Sequence, residues 1–272
     1  MKGRMIHPGP RATARVQAVR ARLRRVSGRV RAGQGVMDAV AAIFEAAGCR
    51  GGMLRLDGAV CDPLHYVLPA FSRDGLHAAW YSDRIALEGP TLVGPATAII
   101  GQKDGATFLH CHGIWQDRMG HLLPLDSVLA RDAVLHGIGS DDAWFEALPD
   151  AETAFTLFQP QGGGTGGGLL ARLRPGEDVA TAIASLCAEH AITDARIHGV
   201  GSIDHIRFQD GACVDCMATE LHFAGAVLRD GRPHLPIEVV DTDGLVHSGV
   251  LAEGANPVGV TVEIVIEPEE MS

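Results

Sequence analysis

Hydrophobic and polar residues alternate over most of the chain, and a spacing of two residues predicts β-strands. The clearest case is the segment 107–115, Thr-Phe-Leu-His-Cys-His-Gly-Ile-Trp, which is rich in β-prone residues. Shorter patterns of the same kind are bounded by turn signals such as Asp-Gly. They predict further strands at 11–31, 51–60, 64–70, 77–80, 91–100, 127–135, 155–158, 195–200, 203–208, 213–216, 218–228, 234–240 and 258–266.

Two segments have apolar residues at helical spacing instead. The first is 36–47, which Gly48 ends, and the second is 177–190, which Pro175 precedes. The two helices lie in matching frames, with a constant offset along the sequence, and strands follow each of them. The chain is therefore predicted to be two copies of one α+β unit.

The predicted copies are bounded by a polar connection at 137–150. Copy one is placed at residues 11–140 and copy two at residues 151–268. Each copy is of ordinary size for a small domain.

Two histidines of the segment 107–115, His110 and His112, are two residues apart and share one face of the predicted strand. A third histidine, His121, follows the polar stretch 116–120, which can turn the chain back. Three histidines match the ligand set of a catalytic zinc site, which keeps one position open. The alternative is that they are ordinary half-buried side chains.

Asp117 is close to these histidines in sequence. Its carboxylate is a candidate hydrogen-bond partner of a metal-binding histidine, or a candidate general base. Alternatively, the residue only forms the turn. The matching strand of copy two retains His234 but has Pro236 at the second position. Proline cannot bind a metal, so we expect one working site per chain.

The composition predicts a folded protein that has no membrane-spanning segment. Hydrophobic residues make up 46% of the 272 residues, yet no apolar run is long enough to cross a bilayer. The N-terminal segment is rich in arginine and lacks the apolar core of a secretory signal. With six cysteines in a chain of this length, we expect reduced thiols and a cytoplasmic location.

The net charge of -10 hides a strong asymmetry, because every acidic residue follows a cationic leading segment. Such a segment is a candidate surface for phosphate or carboxylate groups. It can also be a solvated strand face, or it can pair with the acidic body of a neighbouring subunit. The candidate anion-binding residues are Arg15, Arg20, Arg22, Arg24 and Arg25.

The order of motifs along the chain resembles the plants-and-prokaryotes-conserved (PPC) domain, here in tandem. Copy one has the His-x-His strand followed by a polar turn and Gly-His-Leu-Leu. The motifs of copy two that are similar to the family are Gly199-Val200-Gly201-Ser202, Ala218-Thr219-Glu220-Leu221, Gly225, Pro233-His234-Leu235, Asp241-Thr242-Asp243-Gly244, Gly249, Leu251, Gly254 and Thr261-Val262-Glu263.

The resemblance implies an α+β fold with a mostly antiparallel sheet flanked by helices in each copy, and assembly as trimers. It also implies that His110, His112 and His121 bind a metal, most naturally zinc. The family's DNA-binding label comes from members with an Arg-Gly-Arg-Pro core for the minor groove. This chain has only Gly231-Arg232-Pro233.

Two functions follow from these observations. The first is a binding or regulatory protein that contacts DNA through the basic segment, with affinity that falls steeply with salt. The second is a metal-dependent enzyme or sensor for a small anionic metabolite such as a carboxylate. In the second case arginines of a neighbouring subunit can bind the carboxylate.

Overall fold

The computed structural model describes residues 3–269, which form β-strands and two short helices. The helices are α1 (Val36–Ala46) and α2 (Val179–Glu189). The strands up to residue 162 are β1 (Val16–Ala21), β2 (Leu23–Val30), β3 (Gly51–Arg55), β4 (Val60–Cys61), β5 (Leu64–Val67), β6 (Pro69–Phe71), β7 (Ala79–Tyr81), β8 (Ile85–Leu87), β9 (Thr91–Lys103), β10 (Ala106–Trp115), β11 (Arg118–Leu122), β12 (Ala133–Ser140), β13 (Ala143–Pro149) and β14 (Thr156–Gly162). The later strands are β15 (Gly168–Leu173), β16 (Ala195–Ile203), β17 (Ile206–Arg207), β18 (Cys213–Val214), β19 (Glu220–Phe223), β20 (Ala226–Arg229), β21 (Arg232–His234), β22 (Pro236–Val240), β23 (Val246–Val250) and β24 (Val258–Pro268).

Two large sheets contain most of these strands. The order of the first sheet is β2-β12-β3-β9-β10-β11-β5-β8, and β4 and β13 also pair with β9. The order of the second sheet is β1-β15-β24-β16-β19-β22-β23. In both sheets the strand before the helix and the strand after it pair with the same later strand, which is β12 in the first sheet and β24 in the second. The pairing is antiparallel almost throughout, as predicted, with β13 and β9 parallel.

The molecule is built in four layers. Helix α1 packs its buried residues, among them Val40 and Phe44, on one face of the first sheet. Helix α2 packs Ile183 and Leu186 on one face of the second sheet. The two remaining faces pack on each other through a third apolar cluster drawn from both sheets. The space between the sheets is therefore a distinct interior, in addition to the core under each helix.

Both helices have the predicted positions, because their signals are local. Helix α1 ends where Gly48 adopts φ 61°, a conformation that glycine tolerates well. Helix α2 begins at Asp178, whose carboxylate accepts a hydrogen bond from the Thr181 amide at 2.9 Å. Each sheet carries one short helix, so the helical part is smaller than the expected sheet flanked by helices.

Two sequence predictions of the β-structure were wrong. The segment 137–150 is not a polar connection, because β12 and β13 occupy it and Phe145 is buried between the sheets. The basic segment 11–31 is divided at Arg22, since β1 pairs in the second sheet and β2 in the first. Gly28 lies inside β2, where a Cβ would lie 2.5 Å from the Ile43 side chain on α1.

The predicted domain limits, 11–140 and 151–268, stay a prediction. The structure adds that β1 joins the second sheet and β14 joins the first. Within residues 3–269, no helix has both the length and the apolar character needed to span a membrane.

Candidate metal centre

Strand β10 presents the predicted histidines to the space between the sheets. His110 and His112 lie on that face, whereas Leu109 and Cys111 belong to the core under α1. His121 lies directly opposite His112 in the antiparallel pairing of β10 with β11. Alternation along one strand and register between two strands therefore bring the three side chains together.

The three rings converge on one point. His112 Nε2 lies 3.0 Å from His110 Nε2 and 3.3 Å from His121 Nδ1. Two nitrogens bound to one tetrahedral zinc are about 3.3–3.4 Å apart, given zinc–nitrogen bonds of about 2.0–2.1 Å. The three nitrogens lie within 4.8 Å of one another, and two of their separations are close to the zinc spacing, so the group could hold a metal ion.

The opposite ring nitrogens fix the direction of the lone pairs. His110 Nδ1 donates to Glu263 Oε2 at 2.7 Å, and His112 Nδ1 donates to the Leu221 carbonyl at 2.8 Å. When both rings are neutral, each Nε2 carries a lone pair and no proton. Two lone pairs 3.0 Å apart repel each other unless a cation lies between them. The donor set therefore fits a metal, and its outer partners have the arrangement common to metal-binding histidines.

Burial keeps two of the ligands in the neutral form that binds metals. Burial lowers the pKa of His112 well below its usual value, and the neighbouring rings of His110 and His121 lower it further. Burial, followed by the charge of His110, lowers the pKa of His121 in the same way. Near neutral pH the rings of His112 and His121 are therefore uncharged, which is the form that binds a metal.

The second sheet supplies a carboxyl group beside the triad. Glu220 Oε1 on β19 lies 3.9 Å from His112 Nε2 and 3.8 Å from His121 Nδ1. The residue is only 5% exposed, and burial raises its pKa well above the usual range. Its Oε2 atom has no hydrogen-bond partner among residues 3–269.

Tyr81, the last residue of β7, covers the triad from outside the two sheets. Its ring meets that of His121 edge-on, with centroids 5.1 Å apart. Tyr81 is 37% exposed as a whole, but loss of water around its hydroxyl raises the pKa of that group, and the carboxyl groups of Glu220 and Glu263 raise it further. The hydroxyl therefore stays protonated and can act as a hydrogen-bond donor.

A cavity of about 60 Å³ lies against His110, His112 and Glu220. Its lining also contains the stacked rings of Trp80 and Phe155. The cavity therefore adjoins two of the three candidate ligands, His110 and His112.

The other candidates lie elsewhere. Asp117 is exposed at the tip of the β10–β11 turn, three residue pairs beyond His112 and His121, so it is not a partner of the triad.

The five candidate arginines have partners within the chain, and only some of them share a cleft. Those partners are Glu152 and Glu177 for Arg15, the His190 carbonyl for Arg20, Asp141 for Arg22, Cys49 and the Ala47 carbonyl for Arg24, and Glu267 for Arg25.

Sequence reasoning missed the carboxyl groups of Glu220 and Glu263. A signal was present, because Glu263 lies in the run 258–266 of mainly β-branched residues. A glutamate in such a strand is expected to be buried and to need a partner. Sequence alone did not indicate that its partner is His110, 153 positions away.

Comparisons with known proteins agree with the resemblance in the sequence. Residues 161–269 match the family model of the Plants and Prokaryotes Conserved (PCC) domain, the family called PPC above. No curated protein matches the chain.

Several solved structures are similar to part of the chain. A metal-containing protein of Archaeoglobus fulgidus is 15% identical, covers 52% of this chain and 96% of its own, and has a TM-score of 0.42. A PPC protein of Pyrococcus horikoshii is 17% identical, with 54% and 97% covered and a TM-score of 0.36. A candidate DNA-binding protein of Bacteroides thetaiotaomicron is 17% identical, with 39% and 81% covered and a TM-score of 0.33.

Proposed function

We propose that this chain, which carries a PCC domain in residues 161–269, is a metal-dependent protein that receives a small molecule at its tri-histidine centre. His110, His112 and His121 would hold the ion, and zinc is the metal that best suits three neutral imidazoles. The observation that carries the proposal is the 3.0 Å separation of Nε2 of His110 and Nε2 of His112, two rings whose Nδ1 atoms are already engaged by Glu263 and the Leu221 carbonyl.

The residues around the triad have separate tasks. Glu263 and the Leu221 carbonyl hold the rings of His110 and His112 in the orientation that binds a metal. Glu220 and Tyr81 lie beside the centre and offer a carboxyl group and a hydroxyl group to a ligand. The ion held by the three histidines would supply a Lewis acid at the centre.

The proposal includes one centre per chain and a tandem origin for the two sheets. Their shared strand order supports two copies of one unit. Copy two has His234 on β21 and Pro236 at the start of β22, and it offers no comparable histidine group within residues 3–269. The second sheet would thus complete the centre of the first with Glu220 and Glu263.

Nucleic-acid binding is the weaker alternative. The candidate arginines are engaged with acidic groups or carbonyls of the same chain, and the net charge is -10. Binding to a phosphate backbone would have to break several of these pairs. The structure therefore favours a small ligand over a nucleic acid.

The proposal is tested by the metal content of the purified protein beside two variants. We expect about one zinc per chain in the natural sequence, loss of most of it in His112→Ala, and no change in His136→Ala. His136 is an exposed histidine of β12 and serves as the matched control. Equal metal content in His112→Ala and the natural protein would refute the proposal, as would a chain that takes up no zinc.

A further inference from the structure

We infer that an arginine-lined cleft, separate from the histidine triad, binds a small molecule that carries two linked phosphate groups. Residues of both sheets line the cleft, and its volume of about 570 Å³ is in the usual range for a small-molecule site. Arg22, Arg24 and Arg25 of the basic segment lie there together with Arg196 on β16. The inference goes beyond the proposed metal centre and does not depend on it.

Arg24 is a fixed cation in this cleft. Its Nε donates to the Cys49 sulfur at 3.2 Å, and its Nη2 donates to the Ala47 carbonyl just after α1. All its hydrogen-bond partners within residues 3–269 are neutral, and none of the described carboxylates forms an ion pair with it. The guanidinium is therefore held in place while its charge and its Nη1 donors stay available to a ligand.

Arg25 and Arg196 are held only loosely by their acidic neighbours. Arg25 Nη2 lies 3.5 Å from Glu267 Oε1, and Arg196 Nε lies 3.8 Å from Glu269 Oε1. Charge-assisted hydrogen bonds are shorter, at about 2.7–2.9 Å. The two arginine side chains are 75% and 52% exposed, and exposed pairs of this kind contribute little to stability. Both side chains can therefore turn to an anion with little loss.

The two glutamates of the cleft keep other partners when the arginines turn away. Glu267 Oε2 accepts a hydrogen bond from His198 Nε2 at 3.4 Å. Glu269 Oε2 lies 2.6 Å from Arg229 Nη1, which is much closer than its distance to Arg196. Binding of an anion therefore leaves neither carboxylate without a partner.

One wall of the cleft has no side chains, because residues 166–168 are all glycine. A Cβ on Gly166 would lie 2.1 Å from the Ala21 carbonyl oxygen, and one on Gly168 would lie 2.3 Å from Leu23 Cδ1. The glycines thus allow this wall to pack directly on the segment that carries the arginines. An anion can also approach the peptide N–H groups of such a wall closely.

The number of charges favours phosphate over carboxylate. Guanidinium groups bind both, but a phosphate group carries up to about two negative charges and a carboxylate only one. Arg24, Arg25 and Arg196 offer three cations, whereas Arg22 is engaged by both oxygens of Asp141 at 3.0 Å. Two linked phosphates match these cations better than a dicarboxylate does. The long backbone of a nucleic acid would also meet the acidic body of the chain, whose net charge is -10.

The test is a calorimetric titration of pyrophosphate into the full chain, in buffer free of phosphate. We expect the double variant Arg25→Gln with Arg196→Gln to bind pyrophosphate at least about tenfold more weakly than the natural protein, since each change removes a charged donor. Arg84→Gln is the matched control and should bind like the natural protein. Arg84 is a 58% exposed arginine that pairs with Asp126 at 3.1 Å outside the cleft.

A second titration follows dialysis against EDTA, because pyrophosphate also binds metal ions. An unchanged affinity supports the cleft. Loss of binding after metal removal would place pyrophosphate at the metal centre and overturn the inference. The zinc content of the natural protein tests the proposed function separately, so the two failures can be told apart.

The remaining outcomes decide the class of ligand. We expect succinate, a dicarboxylate, to bind more weakly than pyrophosphate, and a DNA duplex not to displace it. Equal affinities of the double variant and the control, or a natural protein that binds no pyrophosphate, would overturn the inference. Succinate that binds as tightly as pyrophosphate, or DNA that displaces it, would do the same.

Discussion

At the scale of single residues, the hydrogen bond from His110 to Glu263 links the metal centre to the second sheet. Glu263 is 1% exposed and lies opposite Arg172 in the pairing of β15 with β24, and its carboxylate accepts a hydrogen bond from His110. The bond prevents the His110 ring from turning and increases the basicity of its other nitrogen. Glu263 therefore supports the centre although it is not one of the three ligands.

We predict that Glu263→Gln binds zinc about 10- to 100-fold more weakly than the natural protein, because the outer partner of His110 loses its charge. Competition with a chromophoric chelator measures the affinity, and Glu267→Gln is the control on the same strand. An affinity that matches the control would show that Glu263 only fills space.

The histidine triad could be predicted from the sequence, whereas the two glutamates beside it, Glu220 and Glu263, could not. His110, His112 and His121 are at most eleven positions apart, so strand alternation and one turn were sufficient to bring them together. Glu220 and Glu263 reach the site only because two sheets pack face to face. Contacts between sheets depend on the whole fold, and a local pattern does not encode them.

At the scale of elements, the geometry of β10 depends on a local irregularity. Its pairing with β9 shifts between Gly113 and Trp115, one residue after His112. A Cβ on Gly113 would lie 2.3 Å from the Cβ of Ala96 on β9. Glycine therefore allows the two strands to approach where the pairing changes.

We predict that Gly113→Ala lowers the free energy of unfolding by about 1–3 kcal/mol, because the added methyl group forces β10 away from β9. Denaturant unfolding measures this change. Gly167→Ala is the control, since nothing lies within 4 Å of its added Cβ. A variant at position 113 as stable as the control would show that the strands can separate without loss.

The elements also explain which predictions were correct. Helices α1 and α2 were found because their signals are local: apolar periodicity in both, the Gly48 stop after α1, and Pro175 before α2. The segment 137–150 was misread because its glycines and acidic residues resemble a linker. In the structure, Gly137 lies where β12 approaches β3, and a Cβ there would be 2.2 Å from the Met53 carbonyl oxygen.

At the scale of the whole molecule, a buried charge network connects the two sheets. Asp150, in the turn after β13, accepts hydrogen bonds from Arg172 at 2.8 Å and Arg174 at 2.6 Å. Glu152 continues the network to Arg15 at 2.7 Å, just before β1. Burial alone would raise the pKa of Asp150, but Arg172, the Thr153 amide and Arg174 outweigh it and hold that pKa well below its usual range.

This network predicts a specific loss of stability in acid. The folded pKa of Asp150 is below its unfolded value of about 4, so its contribution is complete above that pH and disappears as the pH falls towards the folded pKa. Thermal unfolding between about pH 5 and pH 2 should show this loss in the natural protein.

The variant Asp150→Asn should be less stable at pH 7 by about 3–5 kcal/mol, because Arg172 is left buried without its partner. Its melting temperature should also fall less steeply in acid. Parallel acid profiles for the two proteins would show that the dependence comes from other carboxylates.

Assembly as a trimer, which the resemblance implies, stays a prediction that sedimentation in solution can test.

The hydrogen bond between His110 and Glu263 also has a consequence for synthesis, because the ribosome makes its two partners at different times. At about 5–20 residues per second, the ribosome makes Glu263 about 7–28 s after His121. During that interval the three histidines exist in a chain whose second sheet has not formed. The supported centre therefore arises only after β24 of the second sheet has been made, so stable metal capture is coupled to the formation of that sheet.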